Sequence, residues 1–348
     1  MSQEFVNYIC SANPLLLVRT YEEHRVLFKY VASLANIKVL DKDGNPKESY
    51  KTFVWSLHGG VRQLTIVNKE LVTSTKAEEG TAKNPMAALE FLEKAEDNTI
   101  LFVKDFHHYL TKEFPQSVSV IERIRDMVGP HPGSCNATGK ALVFISPNMQ
   151  IPADLEKDIT PIDFKLPDKS ELLIVLKSVC HSTNAVMPKD KEVDVLLDAC
   201  LGMTAQEAEN ALSLSLVEAK RFDAGLIRRE KSIVVKKSGL LEVIETTENL
   251  DTVGGLEIAK EWAITQKDCF TPEARAFGVR PPKGILLLGL AGCGKSLLSK
   301  VLAAVFGRPL LRLDMGNIMD KWVGGSESKM KMCLETAESV SPCILWIS

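Results

Sequence analysis

Residues 284–307 read GILLLGLAGCGKSLLSKVLAAVFG. An apolar run, Gly284–Leu288, leads into a glycine-rich turn, and an amphipathic stretch from Lys295 to Gly307 follows. The central residues 289–296, GLAGCGKS, fit the spacing G-x-x-x-x-G-K-[ST] in the strand–turn–helix context which that spacing requires. Gly289, Gly292 and Gly294 let the backbone curl until successive N–H groups converge on phosphate. Leu290, Ala291 and Cys293 complete that cradle. Lys295 sets an ammonium against the β- and γ-phosphates, and the Ser296 hydroxyl is a ligand for Mg²⁺. The helix that follows turns its partial positive charge on the same anion. The stretch therefore predicts an α/β fold that binds the phosphates of a nucleotide together with Mg²⁺. Alone it does not separate an NTPase from a small-molecule kinase.

Working outward, PLLRL (309–313) reads as a second strand, SESKMKMCLETAESV (326–340) as a helix and CILWI (343–347) as a third strand. Upstream, residues 1–226 show a separate strand–helix alternation. LLLVR (15–19), FVWSL (53–57), TILFV (99–103), ALVFI (141–145) and PIDFKL (161–166) are strand candidates. Helical periodicity lies over 22–36, 86–95 and about 118–128. Strands apolar on both faces and separated by helices imply a parallel sheet covered on each side. Residues 169–187 and 189–223 read as helices with no further strand, and Thr204 and Glu207 have capping-box spacing. The charged stretch 227–250, with Arg228, Arg229, Lys231, Lys236 and Lys237, reads as a solvated linker. This divides the chain into an α/β module over 1–226, a linker over 227–250 and a nucleotide-binding module from 251 to 348.

Composition narrows the function classes. The 348 residues carry 42 Lys+Arg against 45 Asp+Glu and are 45% hydrophobic, which excludes a strongly basic nucleic-acid-coating protein. No run of about 18 apolar residues marks a membrane span, and the N-terminus lacks the pattern of a secretory signal. The eight cysteines form no CxxC pair and read as free thiols of a reducing compartment.

LDTVGGLEIAKEW (250–262), VRPPKGILLLG (279–289) and KWVGGSESKMKM (321–332) resemble the corresponding segments of AAA-type ATPases. KSGLLE, PLLRLDMG and PCILWI bring the resemblance closer to an uncharacterised AAA family encoded in chloroplast genomes and cyanobacteria. NPLLLVRTYEEHR, LFVKDFHHYL and ISPNMQIPADLEKDIT extend it less specifically across the N-terminal part. The resemblance implies P-loop modules with parallel sheets in strand order 5-1-4-3-2, the first degenerate with a helical tail and the second incomplete. It implies that Val253 and Gly254 line the adenine site. It also implies that Trp322, Val323 and Gly324 form a pore-facing loop, although Gly325 and Lys331 depart from the family pattern. An Asp–Glu pair would follow CILWI, where Ser348 stands in the Asp position. The expectation is thus a truncated chain that binds ATP, has no catalytic residue of its own and hydrolyses poorly. The complete form would be a homo-oligomeric ring that remodels a protein partner in the cytoplasm or plastid stroma. The alternative is a nucleotide-sensing scaffold without turnover.

In the first module, LLLVR runs into Arg19–Arg25 with no glycine and no Lys–Ser/Thr, so no phosphate cradle is expected there. Two acidic residues, Glu22 and Glu23, would satisfy the helix dipole themselves. SLHGGVRQ (56–63) reads as a simple turn, and Asp105 as a structural or capping residue. His107 and His108 read as side chains that do not share a face and hold no metal.

Overall fold

A computed structural model describes residues 2–37, 39–40, 46–47, 50–68, 70–237, 241–244, 250, 254–270, 274, 276–280, 282–290, 292–316, 330, 333–334, 336–338, 340–341 and 343–348. The chain divides into two compact units, Met1–Lys165 and Leu166–Ser348.

The first unit contains α1 (Ser2–Cys10), β1 (Leu15–Arg19), α2 (Glu23–Ala35), β2 (Val39–Leu40), β3 (Pro46–Lys47), β4 (Lys51–Ser56), β5 (Gly60–Val67), β6 (Glu70–Thr73), α3 (Pro85–Lys94), β7 (Thr99–Lys104), α4 (Ser117–Met127), α5 (Cys135–Thr138), β8 (Ala141–Ile145) and β9 (Thr160–Asp163). Its main sheet runs β6-β5-β4-β7-β8-β1-β9. The five strands β9-β1-β8-β7-β4 are all parallel. Numbered along the chain, they stand in the order 5-1-4-3-2 that the resemblance implies. The antiparallel pair β5 and β6, which the sequence reading did not separate, extends the β4 side. The turn that begins this extension is the simple turn expected at SLHGGVRQ. Gly60 supplies its left-handed residue at φ 62°, where a Cβ would lie 2.8 Å from Thr81 Oγ1.

Alternation along the central strands divides the core in two. Leu15 and Leu17 of β1 join Leu101, Val103, Leu142, Phe144 and the buried faces of α3 and α4. Leu16 and Val18 join Ile100, Phe102, Val143 and Ile145 beneath α1 and α2. Each side of the sheet is therefore closed by helices. Phe5 of α1 stacks on Tyr30 of α2 with ring centroids 3.8 Å apart. On the opposite face Trp55 is fully buried, donates Nε1–H to the Thr81 carbonyl at 2.9 Å, and meets Phe106 edge-on.

The second unit opens with four helices: α6 (Lys169–Thr183), α7 (Asp190–Cys200), α8 (Ala205–Ala219) and α9 (Ala224–Lys237). Thr204 and Glu207 cap α8 reciprocally, as their spacing predicts, and Asp168 and Glu171 do the same for α6. The start of the stretch read as a linker is instead the helix α9. Its Ile227 is fully buried among Leu197, Cys200 and Leu212. Lys231 is buried too, with its ammonium donated to the Leu201 carbonyl. Net charge concealed that periodicity: Ile227 and Lys231 are one helical turn apart, and the long lysine stem is itself apolar.

The remainder of this unit contains β10 (Glu242–Ile244), α10 (Glu257–Lys267), α11 (Lys295–Phe306), β11 (Leu310–Leu313) and β12 (Ile344–Ile347). The parallel pair β11–β12 matches PLLRL and CILWI, and β10 adds antiparallel on the free side of β11. Cys333, Ala337 and Val340, at helical spacing, pack on Leu311 and Leu313. One expected strand is not formed. Gly284–Leu288 has no strand hydrogen bonding, and Leu286 and Leu288 are more than four-fifths exposed. An apolar run becomes a strand only beside a partner ladder, and among the described residues none lies next to it.

Trp55→Ala removes a fully buried ring and leaves the Thr81 carbonyl without its donor. The substitution should cost about 3–5 kcal/mol, read as a lowered denaturant midpoint by circular dichroism.

Candidate functional site

The glycine-rich loop meets α11 at Lys295. Gly292 and Gly294 hold φ of 80° and 87°, conformations that side-chain-bearing residues avoid, and nothing lies within 4 Å of either Cβ position. Gly289 answers a different constraint, because a Cβ there would stand 2.7 Å from Cys293 Sγ. Gly294 occupies the N-cap position of α11 and has no side chain with which to cap the first N–H groups. The helix therefore presents uncapped donors and its dipole to the space above the loop. Lys295 Nζ folds back on the same loop, donating to the carbonyls of Gly289 at 2.8 Å and Leu290 at 2.6 Å. Ser296 is exposed, and among the described residues no hydrogen bond engages its hydroxyl.

This donor set fits a polyphosphate: open glycines, uncapped N–H groups, a lysine ammonium within the loop and a serine hydroxyl one residue on. Lys295 would meet phosphate oxygens, and Ser296 is the residue that would reach a Mg²⁺ ion held between them. The loop is held in place from behind. Leu298 and Leu302 of α11 bury against Ala263 of α10, and Trp262 meets Phe306 edge-on at 6.3 Å. This support was not singled out in the sequence, although Ala259, Trp262 and Ala263 carry the helical period that marks it.

The other expected site residues divide between the described and the undescribed. Gly254 is described and open, with nothing within 4 Å of its Cβ position. Val253, Ala291 and the loop Trp322–Val323–Gly324 lie outside the described residues, as do Gly325 and Lys331. Ser348 continues the β12 ladder, donating its N–H to the Leu313 carbonyl at 3.0 Å and accepting from the Met315 N–H at 3.0 Å.

The equivalent position in the first unit is filled from within. Where β1 passes into α2, buried Glu22 pairs with Arg25. Arg25 also donates to the Lys165 carbonyl at 3.0 Å and lies over the Phe164 ring. Glu23 pairs with Lys104, at the end of β7, at 2.8 Å. Arg25 and Lys104, beside this helix start, are thus engaged by protein carboxylates. Beyond β7, Asp105 adopts a left-handed conformation at φ 50°, without a side-chain capping bond, and opens a short 3₁₀ turn, Phe106–Tyr109. That turn brings together what the expectation kept apart: the His107 and His108 rings lie 4.0 Å from each other. A 3₁₀ turn winds more tightly than the helix or strand assumed for them. Among the described residues no group of three metal-ligating side chains forms. His107 Nδ1 instead shares a 2.8 Å hydrogen bond with the buried Ser146 hydroxyl at the end of β8.

Comparison with known proteins agrees with this geometry. Residues 1–164 match the family model described as SpoVK-like AAA ATPase, N-terminal domain. Residues 170–238 match the SpoVK-like AAA ATPase second domain, and 285–348 the ATPase family associated with various cellular activities. The chain is 28% identical over 99% of its length to the uncharacterized AAA domain-containing protein ycf46 of Trieres chinensis, of which it covers 65%. It is 32% identical over 76% of its length to ycf46 of Gracilaria tenuistipitata var. liui, covering 53% of that protein. A cell division cycle protein 48 homolog of Archaeoglobus fulgidus is 24% identical over 74% of the chain, which covers 39% of it. The chain thus spans between about half and two thirds of the ycf46 proteins it matches. No helix among the described residues is long and apolar enough to cross a membrane.

Burial and the adjacent His108 hold the His107 imidazole below the ordinary histidine range, against a smaller opposing pull from Asp105. A histidine depressed in the folded state contributes stability in full above its unfolded value, and that contribution is lost as pH falls through it. The unfolding temperature should therefore drop between about pH 7 and pH 5, and His107→Gln should flatten that part of the profile. An identical slope in the variant would remove His107 as its source.

Proposed function

Because the chain carries SpoVK-like AAA ATPase domains and belongs to the AAA ATPase family, we propose that it binds ATP with Mg²⁺ through Gly289–Ser296. The observation that supports this most directly is the conjunction at the start of α11. There Gly292 and Gly294 are left-handed, the helix lacks a side-chain cap and Lys295 Nζ lies against the loop carbonyls. Nucleotide entry exchanges those two carbonyl contacts of Lys295 for phosphate oxygens, which form stronger charge-assisted bonds. Ser296 then supplies a Mg²⁺ ligand, and the segment around Val253 and Gly254 contacts the adenine.

The first unit, whose equivalent position is occupied by Glu22–Arg25 and Glu23–Lys104, serves in this reading as a scaffold or partner-binding module. The whole protein would assemble as a homo-oligomeric ring that uses ATP to remodel a protein partner. In that ring Trp322–Val323–Gly324 would face the pore. The likeness to ycf46 proteins supports a plastid or cytoplasmic setting.

Calorimetric titration with ATP and Mg²⁺ tests the binding step. Lys295→Ala should weaken affinity by at least about tenfold, since a charge-assisted contact is worth about 1.5–3 kcal/mol. Ser296→Ala should weaken ATP binding in the presence of Mg²⁺ and leave Mg²⁺-free binding unchanged. Equal affinity in Lys295→Ala and the parent chain would overturn the assignment of the loop.

A further inference from the structure

A polar cavity lies in the first unit, at the opposite end of the strands from the turn between β1 and α2. Its volume is about 370 Å³, and its lining includes Glu93, Arg123, Asp126, His131, Gly133 and Lys140. Glu93 ends α3 ahead of β7, Lys140 immediately precedes β8, and Arg123 and Asp126 come from the last turns of α4. The volume is within the range of small-molecule sites.

The charges in this cavity are unevenly paired. Arg123 is held by Glu93 through two parallel bonds, with Nε donating at 2.7 Å and Nη2 to the second carboxylate oxygen. Asp126 also acts on Arg123, and both carboxylates favour its charged form. His131 Nε2 donates to the Asp126 carbonyl at 2.7 Å, which leaves Nδ1 as an acceptor when the ring is neutral. Lys140 differs from the others. Its residue is only 6% exposed, and its ammonium donates to a single acceptor, the Glu93 backbone carbonyl, at 2.8 Å. Among the described residues no carboxylate forms an ion pair with it. Two of the three ammonium donors thus remain for an anion that enters the cavity. Arg123 Nη1 adds donors on the same lining, because its bonds to Glu93 use only Nε and Nη2.

We propose that this cavity is a binding site for a small oxyanion, with Lys140 and Arg123 as its donors. A phosphate group and the carboxylate of a small organic acid share the required chemistry. Glu93 is committed to Arg123, Asp126 forms no ion pair with Lys140 among the described residues, and burial keeps the Cys135 thiol neutral, so Lys140 faces the cavity without a paired carboxylate.

Hydrogen–deuterium exchange on the full chain tests this, followed in peptides covering residues 128–141. A Lys295→Ala background silences the nucleotide loop. Sodium phosphate, sodium malonate and sodium chloride are compared at equal ionic strength. Phosphate or malonate should slow exchange severalfold relative to chloride, and the more effective salt identifies the ligand class. Lys140→Met should abolish the protection. Gly133→Leu should abolish it sterically. Its Cβ has room, the nearest atom being His131 Nδ1 at 3.8 Å, and Gly133 is not held at positive φ. If Lys140→Met does not fold, Gly133→Leu decides the matter. Equal exchange in all three salts, or protection that survives Gly133→Leu, overturns the proposal.

Discussion

The first unit depends on one constraint: β1 must be buried from both sides while pairing with a parallel strand along each edge. Leu15, Leu16, Leu17 and Val18 are all fully buried, and successive residues enter opposite cores. A strand in that position cannot be a hairpin partner. Each parallel neighbour must return through a crossover, and those crossovers supply the helices that cover the faces. The layered architecture and the 5-1-4-3-2 order follow from satisfying β1. The antiparallel pair β5–β6 is added outside this requirement, beyond β4.

Two turns that lead into a helix, one in each unit, are resolved in opposite ways. At Gly289–Ser296, glycines keep the backbone open, the helix start is uncapped and a lysine is held by two main-chain carbonyls and the Cys293 thiol, with no carboxylate. At Thr20–Arg25, carboxylates occupy the helix start, and arginine and lysine are engaged by them. The first arrangement leaves donors available to an anion. The second has already spent its cations on carboxylates of the chain. Two helix starts in one chain thus carry different chemistries, each set by a handful of residues at its turn.

Much of this was legible in the sequence because it rests on local pattern. The apolar runs at β1, β7 and β8 are short, continuous and flanked by turns. The loop spacing at 289–296 leaves little choice of chemistry, and Thr204 with Glu207 marks its helix start unaided. What was not legible depends on partners distant in the chain. Gly284–Leu288 has strand composition, yet strand structure needs a neighbour that composition does not supply. Lys231 reads as solvated by charge, yet α9 turns it inward beside Ile227. His107 and His108 were separated by assuming a regular element, and the 3₁₀ turn after Asp105 removes that assumption. Among the site residues, those set by backbone conformation were readable. The support of α11 by α10, through Ala263 and Trp262, required knowledge of which helices meet.

The outer strands of the large sheet have a consequence for what this unit can pair with. β9 carries Pro161, paired inward with Leu17, so that edge lacks one of the N–H donors a further strand would need. At the other edge, β6 is only four residues long and starts with the charged Glu70. Short, charged or proline-bearing borders resist recruiting foreign strands, which guards against runaway polymerisation. Contacts that this unit makes with other chains are thereby steered away from its strand edges and toward side-chain surfaces on helices and loops.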